Sequence, residues 1–185
     1  MKLPGLEQVV MNKIKTELVN AFGAEFIEVI IGGAAFNKEV ESFFKKMEFP
    51  FTVGYGMTEC APIITYDGHK TAKLYSCGRI VPNMEMKIDS PDPQNIPGEL
   101  LVRGANVFLG YYKNEEATKE VLEDDGWFHT GDMGVIDADG YLFLRGRSKC
   151  MILGPSGQNI YPEEVEAVLD TRPYVLESLV IEDNG

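Results

Sequence analysis

Apolar residues recur with helical spacing in the first part of the chain. Between Leu6 and Phe22 they fall mostly three or four positions apart, and Gly23 follows where helices commonly end. This pattern predicts a helix with one buried face. A little further on, Asn37 is a favourable N-cap for a second helix. The side chains that this second helix is predicted to bury are Val40, Phe43, Phe44 and Met47.

Two short β-rich runs flank the second predicted helix, one at residues 26–31 and the other at residues 51–53. Both are followed by glycines. A connection that contains a helix is long enough to make the two strands parallel neighbours. The glycine-rich turns would then lie at the carboxyl ends of adjacent strands, which is where open α/β sheets bind their ligands.

The pattern changes after about Tyr75, where short alternating runs are separated by turns that contain proline or glycine. Residues 137–140 read as the turn of a hairpin. These runs predict antiparallel strands that close into a small β-barrel or form a meander. A short helix, opened by Asn114 and carrying Val121 and Leu122, interrupts them.

The last part of the sequence predicts one helix, starting near Pro162, and one strand over residues 175–181. These two elements are too few to bury a core of their own. We therefore expect the chain to stop inside a second domain and to be a fragment of a larger protein. The predicted fold is α/β plus β: a parallel βαβ portion of a large domain at residues 1–75, a small antiparallel β-barrel at 76–146, and the hinge and start of an α+β C-terminal domain at 147–185.

Charge and cysteine usage narrow the classes of partner. The formal net charge of −12 argues against a nucleic-acid partner, because phosphate backbones are bound by clusters of Lys and Arg. The three cysteines form no Cys-x-x-Cys pair, so neither a disulfide framework nor a zinc site is indicated, and the cytoplasm is the expected location. No apolar run is long enough to span a membrane. Peripheral membrane contact and the oligomeric state stay open.

One candidate for phosphate and metal binding is the run Tyr55-Gly56-Met57-Thr58-Glu59. The Thr58 hydroxyl can donate to a phosphate oxygen, and the Glu59 carboxylate is a hard oxygen ligand of the kind that Mg²⁺ prefers. The alternative is a capped turn that holds no ligand. Gly33 and Ala34, after the first predicted strand, offer either a flat backbone surface for a base or only a tight turn.

A second candidate lies much further along the chain, where Asp132 follows Gly131 at the end of an aromatic run. A carboxylate that only accepts hydrogen bonds suits the two hydroxyls of a ribose, and the alternative is an aspartate that caps a turn. Arg147 could reach a phosphate or a ribose, whereas Arg145 is predicted to be a solvated strand residue. His129 is predicted to be a loop histidine without a catalytic partner.

Taken in order, these motifs resemble those of the adenylate-forming superfamily, which includes acyl-CoA synthetases, luciferases and the adenylation domains of peptide synthetases. The matching stretches are Tyr55-Gly56-Met57-Thr58-Glu59, Gly98–Gly104, Gly110-Tyr111-Tyr112-Lys113-Asn114, Gly131-Asp132, Gly146-Arg147-x-Lys149 and Pro162-Glu163-Glu164-Val165-Glu166. The stretch over residues 154–162, Gly-Pro-Ser-Gly-Gln-Asn-Ile-Tyr-Pro, looks most like bacterial long-chain fatty-acid–CoA ligases.

The resemblance implies a two-step reaction. A carboxylate attacks the α-phosphate of ATP to give an acyl-adenylate and pyrophosphate, and the thiol of CoA then displaces AMP. The implied small molecules are ATP, Mg²⁺, CoA and a fatty acid. The resemblance assigns catalytic roles to Thr58 and Glu59, with Glu59 on the metal. It places Gly33, Ala34 and Tyr55 around adenine, and Gly56, Thr58, Asp132 and Arg147 around the rest of the nucleotide. It places Gly157 near the pantetheine arm and makes Lys149 the hinge.

Two motifs of the superfamily have no counterpart in this sequence, namely the Ser/Thr/Gly/Lys phosphate loop and the catalytic lysine near the end of the C-terminal domain. Losing several phosphate contacts weakens ATP binding by orders of magnitude, so we expect these 185 residues alone to be inactive and the whole protein to be a ligase. An amino-acid adenylation domain and a non-catalytic nucleotide-binding module remain as alternatives.

Overall fold

The computed structural model describes residues 6–183. Its first region contains α1 (Leu6–Ala21), β1 (Val29–Ile31), α2 (Lys38–Lys46) and β2 (Phe51–Val53). Gly23 has a left-handed φ of +97° and its N–H donates to the carbonyl oxygen of Asn20, so the chain turns away after α1 as predicted. The two strands pair in parallel, with Val29 beside Phe51, which confirms the predicted crossover.

Aromatic and methionine side chains form the core of this first region. The buried members are Met11, Met47, Phe49 and Phe51, with Phe26, Phe36 and Phe44 packed against them. Neighbouring rings meet at tilted or edge-on angles, for example Phe44 and Phe51 at 5.4 Å and 72°, which is the arrangement that aromatic pairs favour. Asn37 caps the helix that supplies Phe44, as predicted.

Two of the side chains predicted to be buried on α2 are not. Val40 and Phe43 are each 38 % exposed, whereas Met47 is buried. Glu41 is buried instead, because its carboxylate accepts a hydrogen bond of 2.5 Å from the backbone N–H of Tyr75. The chain around Tyr75 therefore covers the face of α2 that carries this carboxylate, and burial raises the pKa of Glu41.

Seven strands follow in two antiparallel sheets. The first sheet contains β3 (Tyr55–Gly56), β4 (Ile63–Tyr66) and β5 (Arg79–Ile80), with a 3₁₀ turn over Thr58–Cys60 between β3 and β4. The second contains β6 (Met84–Asp89), β7 (Gly98–Gly104), β8 (Phe128–Ile136) and β9 (Leu142–Arg147), paired in chain order. The predicted short helix, α3 (Glu115–Val121), lies between β7 and β8.

The second sheet is an open meander and not a closed barrel. Within residues 6–183 no ladder joins β6 to β9, because four strands are too few to curl round and meet. An isolated bridge between Arg79 of β5 and Tyr141, just before β9, links this sheet to the first one. The hairpin predicted at residues 137–140 is confirmed, with the N–H of Asp137 3.0 Å from the carbonyl oxygen of Tyr141. The side chains that form the dry core of the meander are Leu100, Val102, Phe128 and Leu142.

The C-terminal part contains a 3₁₀ turn over Ser148–Cys150, then β10 (Ile152–Leu153), β11 (Asn159–Ile160) and α4 (Pro162–Leu169). The helix starts at Pro162 as predicted. The strand predicted for residues 175–181 is wrong, because no described strand lies beside this segment to satisfy its backbone. The segment is held to α4 instead, where the N–H of Val180 donates to the Glu166 carboxylate at 2.7 Å. None of the helices within residues 6–183 is both long and apolar enough to cross a membrane.

Candidate functional site

A tight hairpin between β3 and β4 builds the turn that carries Glu59. The N–H of Met57 donates to the carbonyl oxygen of Pro62 at 2.8 Å, and Ala61 closes the turn with a left-handed φ of +55°. The two backbones approach so closely that a Cβ added at Gly56 would lie 2.0 Å from the Pro62 oxygen. The hairpin itself therefore requires Gly56, and a contact of Gly56 with a nucleotide stays a prediction.

Thr58 and Glu59 differ in their surroundings. Thr58 is exposed, whereas Glu59 is half-buried. One carboxylate oxygen of Glu59, Oε1, accepts a hydrogen bond of 3.0 Å from the Tyr111 hydroxyl. The backbone oxygen of Glu59 accepts another, of 2.7 Å, from the N–H of Phe108. The second carboxylate oxygen, Oε2, makes no hydrogen bond with the part of the chain that the structure describes.

Asp132 is buried in β8, and both of its carboxylate oxygens have partners. Oδ2 accepts a hydrogen bond of 2.5 Å from the Tyr55 hydroxyl, and Oδ1 lies 3.1 Å from Nε of Arg147. A carboxylate offers about four lone-pair sites, so two remain for further donors. Because the Arg147 side chain is 65 % exposed, its ion pair with Asp132 contributes about 1 kcal/mol or less to stability.

The register of the meander places Asp132 opposite Arg147. Just before it, Gly131 turns the strand with a left-handed φ of +73°. The Glu99 carboxylate on β7 holds this turn by accepting the N–H of Gly131 at 2.9 Å. The Thr130 hydroxyl accepts the N–H of Asp132 at 3.1 Å. Contacts from several strands therefore fix the position of Asp132.

Tyr55 connects the two parts of the candidate site, namely the turn that carries Glu59 and the strand that carries Asp132. It lies in β3, a few residues before Glu59, and its hydroxyl reaches Asp132. The structure thus brings Asp132 beside the strand that leads into the Thr58–Cys60 turn. Burial and the negative charge of Asp132 raise the pKa of Tyr55, so the hydroxyl stays protonated and donates.

Gly33 and Ala34 lie just beyond the carboxyl end of β1, which is next to the carboxyl end of β2. The N–H of Gly54 donates to the carbonyl oxygen of Ile31 at 2.9 Å, which ties the ends of β1 and β2 together. Gly33 has a left-handed φ of +88°, and the space where its Cβ would lie is open. The residues that the resemblance assigns to adenine, including Tyr55, therefore follow two adjacent parallel strands.

Lys149 and Gly157 lie beyond β9. Lys149 is exposed in the 3₁₀ turn that follows this strand. Gly157 is exposed in the turn between β10 and β11, where it has a left-handed φ of +78° and donates its N–H to the carbonyl oxygen of Gly154 at 2.8 Å. Among the described residues, no hydrogen bond or ion pair links either of them to Glu59 or Asp132.

His129 is not a loop histidine, contrary to the sequence prediction. It lies in β8, where its Nδ1 is 3.0 Å from Oε2 of Glu99 and its Nε2 is 2.8 Å from Oε1 of Glu123. The hydrogen bond to Glu99, helped by Glu123, raises the pKa of His129. Sequence reasoning missed Glu99 because the pairing of β7 with β8, and not a local motif, brings it to the histidine.

Arg145 lies in β9 with 40 % of its side chain exposed, so it is a partly solvated strand residue, but it also has a partner that the sequence did not predict. Its Nη1 lies 3.0 Å from Oε1 of Glu164, which joins β9 to α4. The neighbouring Gly146 permits this approach, because a Cβ added there would lie 2.6 Å from Oε2 of Glu163. Gly146 of the predicted hinge motif, together with the preceding Arg145, therefore also serves to pack α4 against β9.

The carboxylate oxygens of Glu59 suit magnesium as a ligand better than they suit a metal that needs several protein ligands. Residues 6–183 contain no group of three or more His, Cys, Asp or Glu side chains placed to hold a metal ion together. Magnesium usually keeps several waters and takes one or two carboxylates together with substrate phosphates. Glu59, whose Oε2 is unbonded to the described chain, fits a magnesium ion held mainly by a nucleotide.

Comparisons with known proteins agree on one family. The family model described as "AMP-binding enzyme" matches residues 4–112, which is more than half of the chain. A 4-coumarate-CoA ligase from Narcissus pseudonarcissus is 34 % identical, over 96 % of this chain and 35 % of its own length. A long-chain-fatty-acid–CoA ligase, ACSBG1, from Mus musculus is 35 % identical, over 82 % of this chain and 21 % of its own length.

Solved structures of similar proteins have the same fold. The o-succinylbenzoate CoA synthetase of Bacillus subtilis, in complex with an acyl-adenylate intermediate, has a TM-score of 0.78 at 29 % identity and covers 94 % of this chain and 37 % of that one. The same enzyme in complex with ATP and a magnesium ion gives 0.76 at 30 % identity, over 94 % and 38 % of the two chains. The present chain spans about a third of the length of the curated relatives that it matches first.

Proposed function

This chain belongs to the AMP-binding enzyme family, and from that premise we propose that it forms the nucleotide-binding part of an ATP-dependent, AMP-forming acyl-CoA ligase. The observation that carries the proposal is the hydrogen bond from Tyr55 to Asp132, because it brings a carboxylate that suits a ribose beside the strand leading to Glu59. In the whole protein, a carboxylic acid would attack the α-phosphate of ATP, and the thiol of CoA would then displace AMP.

Asp132 binds the ribose hydroxyls in this proposal. Two of its lone-pair sites are used by Tyr55 and Arg147, and the other two can accept the ribose. Hydrogen bonds to a charged group contribute about 1.5–3 kcal/mol each, which corresponds to roughly tenfold or more in affinity. The exposed guanidinium of Arg147 keeps further donors for a phosphate or the ribose.

The adenine base would lie between the strand ends that carry Gly33, Ala34 and Tyr55. The open space over Gly33 lets a flat ring approach the backbone, and the Tyr55 ring offers an aromatic face. Gly56 contributes by permitting the hairpin that aims the following residues at the phosphates.

Thr58 and Glu59 act at the phosphate end. The exposed hydroxyl of Thr58 donates to a phosphate oxygen, and the Glu59 carboxylate holds the magnesium ion that accompanies ATP. When bound, magnesium gathers negative charge from the phosphates and eases the attack of the carboxylate. Glu59 orients the ion, and Thr58 orients the phosphate.

The second half-reaction would use the C-terminal part. We assign residues 147–185 to the start of a smaller domain that turns about Lys149, which is exposed in a short turn with no side-chain cap. Residues 1–75 and 76–146 then form the α/β part and the β-subdomain of the larger domain. Gly157 would let the pantetheine arm pass close to the backbone, because open space surrounds it.

Lys149→Pro tests the assignment of the hinge in the whole protein. Proline fixes φ, so the variant should still form the acyl-adenylate but should transfer it to CoA slowly. The two half-reactions are measured separately, by exchange of labelled pyrophosphate and by thioester formation. Equal loss in both would contradict a hinge at Lys149.

The carboxylic acid that we propose is a long-chain fatty acid. The support is the likeness of residues 154–162 to bacterial long-chain ligases and the similarity to the mouse long-chain-fatty-acid–CoA ligase. A hydroxycinnamic acid is the second candidate, because 4-coumarate–CoA ligases are 34 % and 38 % identical to this chain.

The test is exchange of labelled pyrophosphate into ATP by the whole protein, offered palmitate, 4-coumarate or a set of amino acids. Palmitate should support the fastest exchange. Faster exchange with 4-coumarate would show that the proposed substrate is wrong and that the proposed activity is right. Exchange with amino acids alone would favour a peptide-synthetase adenylation domain, and no exchange with any acid would overturn the proposed activity.

Two variants test the site itself. Asp132→Asn and Glu59→Gln should each slow the exchange at least tenfold, because each weakens a charge-assisted contact with the nucleotide or its metal. Asp124→Asn, at an exposed aspartate before β8, serves as the matched control and should behave as wild type. Wild-type exchange by either site variant would remove that residue from the site.

A further inference from the structure

The carboxylate of Glu59 is held by a tyrosine from a distant part of the chain. The Tyr111 hydroxyl donates to Oε1 of Glu59 at 3.0 Å. From the same loop, the N–H of Phe108 donates to the backbone oxygen of Glu59 at 2.7 Å. The loop between β7 and α3 therefore grips both the side chain and the backbone of this residue.

Tyr111 is itself fixed from two sides. Its ring meets the ring of Phe108 edge-on, at 4.8 Å and 76°, and Phe108 in turn meets the buried ring of Phe128 at 5.4 Å and 78°. Its backbone N–H donates to the Thr118 hydroxyl on α3 at 2.9 Å. A Cβ added at Gly110 would lie 2.6 Å from the Thr118 side chain, so the glycine lets this contact form. The Tyr111 hydroxyl is thus aimed by the packing around it.

The next residue, Tyr112, provides a contrast. Its side chain is 89 % exposed, whereas Tyr111 is 38 % exposed. The structure gives Tyr112 one ring contact, with the Lys113 ammonium at 5.2 Å from the ring centre. Two adjacent tyrosines therefore differ in whether they reach Glu59, and one serves as a control for the other.

We propose that Tyr111 is a positioning residue, which holds Oε1 of Glu59 so that Oε2 is presented to the magnesium ion of the bound nucleotide. This inference rests on the proposed function, in which Glu59 is the metal ligand. Magnesium demands near-ideal octahedral geometry, so a carboxylate that turns about its side-chain torsions presents its oxygen to the ion less often. A donor on one oxygen restricts that rotation.

Tyr111 is suited to this role because it stays a neutral donor. A tyrosine hydroxyl ordinarily titrates at about pH 10, so it is a neutral donor at neutral pH. A lysine in the same place would neutralise the carboxylate and compete with the cation. The tyrosine orients Glu59 and leaves its negative charge for magnesium.

The test is Tyr111→Phe in the whole protein, with Tyr112→Phe as the matched control. Pyrophosphate exchange is measured against free Mg²⁺ at saturating ATP and fatty acid. We expect the Mg²⁺ concentration for half-maximal rate to rise roughly tenfold in Tyr111→Phe, from the loss of a hydrogen bond to a charged group. The rate at saturating Mg²⁺ should stay within about twofold of wild type. Tyr112→Phe should match wild type in both quantities.

The Glu59→Gln variant, alone and combined with Tyr111→Phe, separates this inference from the proposed function. If Glu59→Gln leaves the Mg²⁺ dependence unchanged, the proposed function of Glu59 fails. If Glu59→Gln alters it and Tyr111→Phe does not, the positioning role alone is overturned. A Tyr111→Phe variant that loses only maximal rate or thermal stability, with wild-type Mg²⁺ dependence, also overturns it. In the double variant, Tyr111→Phe should add nothing to the effect of Glu59→Gln.

Discussion

The Asp132 end and the Glu59 end of the candidate site are held in place by different means. Asp132 is a strand residue that is 8 % exposed, with partners on β3 and β9. Glu59 lies on a short 3₁₀ turn, where the Tyr111 hydroxyl bonds its carboxylate. The register of a sheet fixes one end, and the packing of a loop fixes the other.

This difference sets how each end responds to change. A sheet register is supported by many backbone hydrogen bonds, so the loss of one side-chain contact should leave Asp132 near its place. The turn at Glu59 depends on a few contacts, so single substitutions should move it. Phe128 links the two ends, because it lies in β8 ahead of Asp132 and packs on Phe108, whose N–H bonds to Glu59.

Phe128→Ala should destabilise both ends of the site, because the Phe128 ring packs in the core that they share. The side chain is 1 % exposed, and removing a buried phenyl ring costs about 3–5 kcal/mol of unfolding free energy. Both the meander and the loop that holds Glu59 lose packing. Urea unfolding measures the loss. Leu109→Ala, at a side chain that is 99 % exposed, is the control and should change stability by less than about 0.5 kcal/mol. A Phe128 variant as stable as that control would contradict the shared core.

Gly56→Ala should break the Glu59 end selectively. The added Cβ would lie 2.0 Å from the backbone oxygen of Pro62, so the hairpin must shift, at a cost of about 3 kcal/mol. The Mg²⁺ requirement of pyrophosphate exchange should rise, because Glu59 moves with the hairpin. Gly68→Ala, where nothing lies within 4 Å of the added Cβ, is the matched control. If both variants have the same stability, the close approach at Gly56 is not a constraint.

Tyr55→Phe should loosen the Asp132 end and keep the ring. It removes one of the two donors to the carboxylate, and we expect a loss of about 2 kcal/mol, since hydrogen bonds to charged groups lie in that range. Arg147 still pairs with Asp132, so the register should survive, and circular dichroism should be unchanged. Tyr174→Phe, at an exposed side chain, is the control for thermal unfolding. Equal melting temperatures would show that the Tyr55 hydroxyl does not hold Asp132.

His129→Gln should have the smallest effect and a pH dependence. The pKa of His129 is raised in the fold above its ordinary value of 6.5, so its stabilisation is fully present below that value and is lost as pH rises through the raised pKa. The variant should therefore lose more stability at about pH 6 than at about pH 9, by about 1 kcal/mol or less. Urea unfolding at the two pH values checks this. Equal losses at both would mean that the charge of His129 does not contribute.

Sequence patterns predicted helices, strands and turns correctly where the residues within or next to the element determine its structure. The cap at Asn37 and the hairpin at residues 137–140 follow from short-range chemistry and are confirmed. The parallel pairing of β1 with β2 follows from the length of the helical connection between them and is also confirmed. The exposure of Val40 and the missing strand at residues 175–181 depend on what packs beside them. Such long-range neighbours are not readable from periodicity.

The same division holds for the site. Tyr55 and Asp132 were predicted to serve one nucleotide, and the structure brings their side chains into contact. Tyr111, Glu99 and the packing role of Arg145 were missed, because strand register and loop packing create those contacts. Motifs name the residues that would touch a ligand, whereas the residues that hold them in place emerge only in three dimensions.

The most direct test of the account is a crystal structure of the whole protein with ATP and magnesium. We predict the ribose hydroxyls at hydrogen-bond distance from the Asp132 carboxylate, about 2.6–3.2 Å, and the magnesium ion bound by Glu59 at about 2.1 Å or through one water. A nucleotide bound elsewhere, or a ribose bound at Asp132 with its magnesium remote from Glu59, would contradict the claim that these two carboxylates serve one ligand.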